Sequence, residues 1–345
     1  MLLQNLERRE LIKPPPFLAT NTHYLCRMGS VAYGVSTDNS DVDVYGVCIP
    51  PRDYIFPPNY IEGFDNRDLT FHQWQQHHVQ DPSANGGKGG SFDFSIYSIV
   101  NFFRLALDNN PNVLDALFVR REHVIHSTPA WENVRTNNKI FLHKGVVQKM
   151  LGYSYSQLAK AKNCIQYIQK IREYEDYYKI PCTVTYQQAV NREYNVHSDD
   201  VHYEYLKLWE DGLKKTSRFE AQKIAGQDNK FLYHVFRLAD QAEYILNYHD
   251  LDLQETSRVE KMKAIRRGDV TFDDIVRQFG EAESRLRDLY HSSKLRMEKD
   301  TISVRNLLVT TLESHYGNLA SFLKEFNGAE LAMKEIKSII GKYNL

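Results

Sequence analysis

At 345 residues the chain is long enough for one large domain or two ordinary ones, and its 42% hydrophobic and 25% charged residues are those of a globular protein. A formal net charge of −1 supplies no whole-molecule field that would advertise a nucleic-acid partner. The first ten residues are broken by charge and do not read as a signal peptide, no apolar run approaches membrane-spanning length, and Cys26, Cys48, Cys164 and Cys182 lack pair spacing. The expectation is a cytoplasmic protein with reduced thiols and no membrane partner.

In chain order, residues 1–13 carry a short helical pattern that Pro14-Pro15-Pro16 ends. Residues 23–28 read as a first strand feeding a Gly29-Ser30 turn, with a short helix over 30–35 beyond it. Ten residues (31–40) separate that turn from Asp41-Val42-Asp43-Val44, which opens a second strand over 41–49 closed by Pro50-Pro51. A period of two places Asp41 and Asp43 on one face of such a strand and Val42 and Val44 on the other. Adjacent carboxylates repel and are eased by a cation, and carboxylate oxygens with substrate phosphates are what Mg²⁺ accepts. Gly29 lets the backbone approach a ligand closely, and Ser30 offers a hydroxyl and an N–H to phosphate oxygens. The reading is a nucleotide site, with phosphates on the turn and metal on the aspartates.

Residues 52–90 are less regular. His72, His77 and His78 have no accompanying carboxylate or cysteine pattern and read as exposed polar residues. The run Asn85-Gly86-Gly87-Lys88-Gly89-Gly90-Ser91 invites a phosphate-loop reading that fails, because Pro82 stands where the first glycine belongs and Gly89 where Ser or Thr should follow the lysine. A hairpin tip fits better. Residues 91–96 alternate as a strand, 96–107 read as a helix, and Asn109-Asn110-Pro111-Asn112 ends it before an apolar element over 113–118.

From about residue 120 the periodicity is helical. Lys160, Lys162 and Lys170 fall on one of these helices, and residues 172–225 look like an insertion rich in Tyr and charge. Lys230, His234 and Arg237 recur at i, i+4 and i+7, one helical face, which fits a solvated basic stripe and a ligand-facing one alike. Residues 258–267 are basic again. Thr271 caps a helix start, residues 275–305 form one long charged helix or two, and residues 332–343 read as a last helix. There is no internal repeat.

Gly29-Ser30, the ten-residue gap and Asp41-x-Asp43 resemble the signature of the DNA polymerase beta superfamily of nucleotidyltransferases. The fuller run, Gly29-Ser30-Val31-Ala32-Tyr33-Gly34 and then Thr37-Asp38-Asn39-Ser40-Asp41-Val42-Asp43-Val44-Tyr45-Gly46-Val47, resembles a narrower bacterial and phage branch that includes the RNA-ligase-associated nucleotidyltransferases. The likeness covers residues 23–118 well and 140–270 more loosely. It implies an α+β fold, with a polymerase-beta-like core of small mixed sheet and helices over 1–120. A helical domain over 121–270, interrupted by the 172–225 insertion, would close the nucleotide site, and 271–345 would be a helical extension.

The resemblance also implies a third carboxylate from a later strand, for which Asp93 is the candidate. Asp41, Asp43 and Asp93 would then hold Mg²⁺, or Mn²⁺ in its place, and Asp93 would help activate an attacking hydroxyl. Gly29, Ser30 and Ser40 would hold the nucleotide together with Lys230, His234 and Arg237, since a Lys-x₃-His-x₂-Arg helix recurs in this branch. Asp115 reads as a support residue. The implied reaction moves an NMP from an NTP to a hydroxyl and releases pyrophosphate. An RNA end or tRNA is the favoured acceptor, a protein hydroxyl the next and a small molecule the third. The alternative is a binding protein on the same fold that senses nucleotide or RNA, or acts like an antitoxin, without catalysis.

Overall fold

Proline and glycine punctuate the N-terminal third and so decide where its strands begin. The computed structural model describes residues 1–36, 41–55, 71–87, 89–196, 198–216 and 218–317. Helix α1 (Leu2–Arg8) stops earlier than the sequence pattern suggests, because Glu10 turns left-handed (φ 59°) ahead of the prolines. A short α2 (Leu18–Asn21) leads into β1 (Thr22–Arg27), then the single turn α3 (Gly29–Ala32), and then β2 (Val42–Cys48) and α4 (Arg52–Ile55).

An unexpected strand, β3 (Gln73–Gln80), pairs antiparallel with β4 (Ser91–Ser98), and the glycine-rich segment containing α5 (Ala84–Gly87) joins them as a hairpin. Lys88 lies outside the described residues, as do Ser40 and the helix expected over 332–343. Residues 96–98 belong to β4, not to the helix read over 96–107. They pair with Gly46 to Cys48 of β2, and Ser98 then caps α6 (Ile99–Leu107) by accepting from the Asn101 N–H at 3.3 Å. Asn110 caps α7 (Pro111–Phe118), with proline in the first turn where no N–H is needed. The four-residue β5 (Val124–Ser127), too short to announce itself by periodicity, adds to the far edge of β1.

The sheet order is β3-β4-β2-β1-β5, with β2 and β4 parallel and the other pairs antiparallel. One face carries Leu25, Val44, Phe94 and Ile96 against Leu3, Leu6 and Leu18 of α1 and α2. The other carries Tyr24, Cys26 and Val47 into a larger apolar cluster that continues through the helical half. That half contains α8 (Pro129–Thr136), the long α9 (Val146–Tyr178), α10 (Tyr186–Val190), α11 (Asp199–Lys215) and α12 (Phe219–Ala225). It continues with α13 (Asn229–Tyr248), α14 (Thr256–Arg267), α15 (Phe272–Ser292) and α16 (Thr301–Tyr316). The charged stretch over 275–305 is therefore two helices, and Thr271 caps the first by accepting from the Asp274 N–H.

The architecture is α+β: a small mixed sheet followed by a mostly helical C-terminal half. The segment read as an insertion builds a core of its own from Ile168 and Ile171 of α9 with Tyr205, Trp209 and Phe219. At its centre the fully buried Lys223 ammonium meets the buried Glu175 carboxylate and also donates to the Cys182 and Val184 carbonyls at 2.9 and 3.0 Å. Among the described residues no helix is long and apolar enough to cross a membrane.

Candidate active site

The cavity begins with three backbone facts. Asp43 and Asp93 sit opposite each other in the register of the parallel β2/β4 pair, so their side chains leave the sheet side by side. The Met28 N–H donates to the Asp43 carbonyl at 2.7 Å, which brings the end of β1 against the same spot. Gly29 then turns with φ 62°, and a Cβ there would overlap Asp43 Oδ2. Only glycine fits, by space and by φ.

Asp41 lies one residue before β2, exposed, where it accepts from the Ser91 hydroxyl at 2.5 Å. Burial, and next the neighbouring Asp93, push the Asp43 carboxyl above the ordinary range; Asp41 adds to the effect, while Lys230 and His77 oppose it. A bulge in β3 between Gln76 and Val79, with His78 left-handed at φ 56°, points the His78 N–H at Asp93 Oδ1 (2.7 Å). His77 Nδ1 and His78 Nδ1 are 3.8 and 4.0 Å from that same oxygen. Both histidines are exposed, as their sequence suggests, yet they flank a carboxylate of the cavity.

The opposite wall is basic. Asp228 caps α13 by accepting from the Lys230 and Phe231 N–H groups (2.9 and 3.2 Å), and the helix presents Lys230, Tyr233, His234 and Arg237 to a cavity of about 560 Å³. Gly29, Ser30, Asp41, Asp43 and Asp93 line the same space. Burial, and then the surrounding Arg237, Lys230, Arg218 and Arg266 charges, drive the His234 pKa well below its usual value, so the imidazole is neutral. Arg237 is 3% exposed and already engaged. Its Nη1 reaches Asp115 Oδ2 at 2.5 Å and Gln241 Oε1 at 3.0 Å, its guanidinium lies 4.3 Å over the Tyr33 ring, and the Tyr33 hydroxyl donates to the same Asp115 oxygen at 2.7 Å. Asp115 is thus a support residue behind the cavity.

Arg218, Arg266, Asn112, Asn229, Tyr33, Tyr45 and Tyr233 also line the space, and sequence reading did not single them out as site residues. Arg266 falls in the basic run over 258–267, which was the only hint of it. Arg218 comes from the end of the 172–225 segment and follows no pattern. The turn itself is held from the helical side. The N–H groups of Tyr33, Val35 and Gly34 close the turn on the Gly29, Ser30 and Val31 carbonyls at 3.3, 2.9 and 3.1 Å, and side chains of the helical half add to it. Gln254 Nε2 donates to Val31 and Ala32 oxygens at 3.3 and 3.2 Å, and Arg266 Nη1 to the Val35 oxygen at 2.6 Å.

The donor set suits a hard divalent cation: two in-register carboxylates that repel each other, closely backed by a glycine. As the side chains stand, no three His, Cys, Asp or Glu among the described residues converge tightly enough to cage an ion. Asp41 is turned to the Ser91 hydroxyl and Asp93 to the His78 amide.

A stretch of 136 residues, 38% of this chain, is 29% identical to an uncharacterized 38.9 kDa protein in the nrdC-mobD intergenic region of Enterobacteria phage T4, and it covers 36% of that protein. The chain therefore aligns with about a third of that relative's length. A nucleotidyltransferase-like protein from Exiguobacterium sibiricum 255-15 aligns over 90% of this chain and 74% of its own at 10% identity, with a TM-score of 0.25, below the level of a shared fold. Residues 2–277 match the RNA repair pathway DNA polymerase beta family, and the chain belongs to that family.

Proposed function

We propose that the protein is a metal-dependent nucleotidyltransferase that moves an NMP from an NTP to a hydroxyl, with an RNA end or tRNA as acceptor. The observation that carries this reading is the Asp43–Asp93 pair, held in register over Gly29 and facing the Lys230 wall. When bound there, Mg²⁺ or Mn²⁺ would offset the carboxylate repulsion and stabilise charge on the phosphates.

The chain's own residues supply the rest. Asp93, oriented by the His78 N–H, accepts the proton of the acceptor hydroxyl. The new bond runs from the acceptor oxygen to the α-phosphorus, the α–β bridging bond breaks, and pyrophosphate leaves with the bonding electrons. Lys230, exposed and free of any ion pair among the described residues, offsets charge on the leaving group. Neutral His234 contributes a hydrogen bond, and Ser30 holds phosphate oxygens. Arg237, paired with Asp115, holds its guanidinium against the Tyr33 ring on the phosphate side of the cavity.

The test incubates purified protein with each α-³²P-labelled NTP and Mg²⁺ or Mn²⁺, with total RNA and then a protein lysate as acceptors. Label is expected in RNA with the wild type and in nothing with Asp43→Asn. A folded Asp43→Asn protein that still transfers label overturns the assignment. Label confined to protein reassigns the acceptor, and nucleotide binding with no transfer at all favours the sensing protein.

A further inference from the structure

We infer that the face of α9 beside the cavity is a track for a single-stranded nucleic acid, which delivers the acceptor end to the carboxylates. The inference rests on the nucleotidyl-transfer reading above and names where its acceptor lies. Between residues 146 and 172, α9 carries Lys149, Lys160, Lys162, Lys170 and Arg172 and no Asp or Glu. Over that length the helix has no acid of its own to neutralise it.

One cation of α9 and one of the cavity wall sit on the same aromatic ring. Lys160 Nζ lies 5.9 Å from the Phe231 ring centroid, and the Arg218 guanidinium lies 5.4 Å from the same ring. Phe231 is the residue after Lys230, and both Lys230 and Arg218 line the cavity. One step outward, Lys215 Nζ stands 4.2 Å over the Tyr167 ring, and Tyr167 packs on Phe219, the neighbour of Arg218. Lys160 and Tyr167 are seven residues apart on α9 and so share one face.

Arg218 forks onto Asp228 at 3.2 Å, but Lys160, Lys215 and Lys230 enter no ion pair among the described residues, and all three are exposed. A row of open cations is what a flexible polyanion requires, and the partly buried Phe231 and Tyr167 rings beneath Lys160 and Lys215 hold those ammonium groups in line. The acids beside the row are Asp211, which pairs with Lys214, and Asp228, which pairs with Arg218, so Lys160, Lys215 and Lys230 are left to meet the strand. Lys162 belongs to a different face, where it lines a shallow cleft with Gln166, Gln169 and Gln227. The sign of charge on α9 alone therefore does not define the track; the face does.

The experiment measures fluorescence anisotropy of a fluorescein-labelled single-stranded 12-mer, as RNA and as DNA, against the full chain without NTP. Phosphates and base faces are common to both forms, so both are expected to respond. The double variant Lys160→Glu/Lys215→Glu should weaken binding at least tenfold at roughly physiological salt, where screening confines each charge to about 8 Å. Lys162→Glu, the same change on the other face of the same helix, should stay within about twofold. With three phosphate contacts the slope of log affinity against log salt should be about −2 in the wild type and fall toward about −0.7 in the double variant. Binding of a fluorescent NTP analogue should be unchanged in the double variant. Wild-type affinity in the double variant, or an equal loss in Lys162→Glu, overturns the track. If the wild type binds the strand on this face yet transfers no label, the transfer reading fails and the track stands. If it labels RNA while the double variant binds RNA normally, the track fails and the transfer reading stands.

Discussion

Asp115 stands behind the cavity and Asp43 inside it, and the fold treats the two carboxylates in opposite ways. Asp115 is fully buried, with one oxygen shared by Arg237 and the Tyr33 hydroxyl and the other accepting from Gln241 at 3.1 Å. Asp43 is half-buried beside Asp93, and its carboxyl is raised by burial first and by Asp93 next. A fold selected only for stability would complete both, since an unpaired buried charge costs several kcal/mol. Asp115 is completed within the chain, and so is Glu175 by Lys223 in the 172–225 segment. Asp43 keeps its repulsion from Asp93 and Asp41, which Lys230 and His77 only oppose, and that contrast supports the chemical role proposed for it.

The sharpest way to break this comparison is to remove one carboxylate charge at a time and read transfer and stability together. Asp43→Asn should reduce label transfer below detection while leaving the melting temperature unchanged or higher, because it relieves repulsion from Asp93 and Asp41. Asp115→Asn should do the reverse in kind, since stranding the Arg237 charge in the interior destabilises by about 3–5 kcal/mol, measured by urea unfolding. If Asp43→Asn proves the more destabilising of the two, the division between structural and chemical carboxylates is wrong. Gly29→Ala comes next. Its Cβ would overlap Asp43 Oδ2 in a left-handed conformation, and displacing that carboxylate by about an ångström should lower transfer roughly 10²-fold. The check is kinetics at saturating NTP, and near-normal turnover would remove the turn from the site.

How much of this was legible in the sequence follows from how local each signal is. Gly29, Ser30, Asp41 and Asp43 lie within fifteen residues of one another, and strand period and turn chemistry placed them together without tertiary information. Asp93 needed the resemblance, because its value comes from register with Asp43 across a parallel pair that no local pattern reveals. The i, i+4, i+7 face of α13 was readable, but the engagement of Arg237 by Asp115 was not, since 122 residues separate the partners. β3 hid because its pattern is polar on its exposed face and broken by the bulge that serves Asp93, and β5 because four residues carry no period. The 172–225 segment read only as an insertion rich in Tyr and charge because its apolar residues pack around aromatic rings and the Lys223–Glu175 pair rather than along one helical stripe.

A third way of handling buried charge, avoiding it, joins β1 to α16. His23 Nε2 lies 2.9 Å from His315 Nδ1, and His23 Nδ1 lies 2.9 Å from the Thr128 hydroxyl. Burial, then His315 and then His126, lower the His23 pKa to about 4, and burial lowers that of His315 too. The facing nitrogens bond while at least one of them is bare, and double protonation sets two N–H groups head to head. A folded pKa below the unfolded 6.5 means that this stability is complete above pH 6.5 and is lost as pH falls toward 4. With partial exposure allowed for, the loss is on the order of 1–2 kcal/mol. Urea unfolding at pH 7.5 and pH 5 should show that difference in the wild type, and His315→Phe should shrink it without abolishing it, because burial, the larger cause, still holds His23 low while the repulsion from His315 and the titration of His315 itself are gone. An unchanged slope in the variant would assign the acid sensitivity to groups elsewhere, and the contrast between charge paired, charge left open and charge avoided would lose its third member.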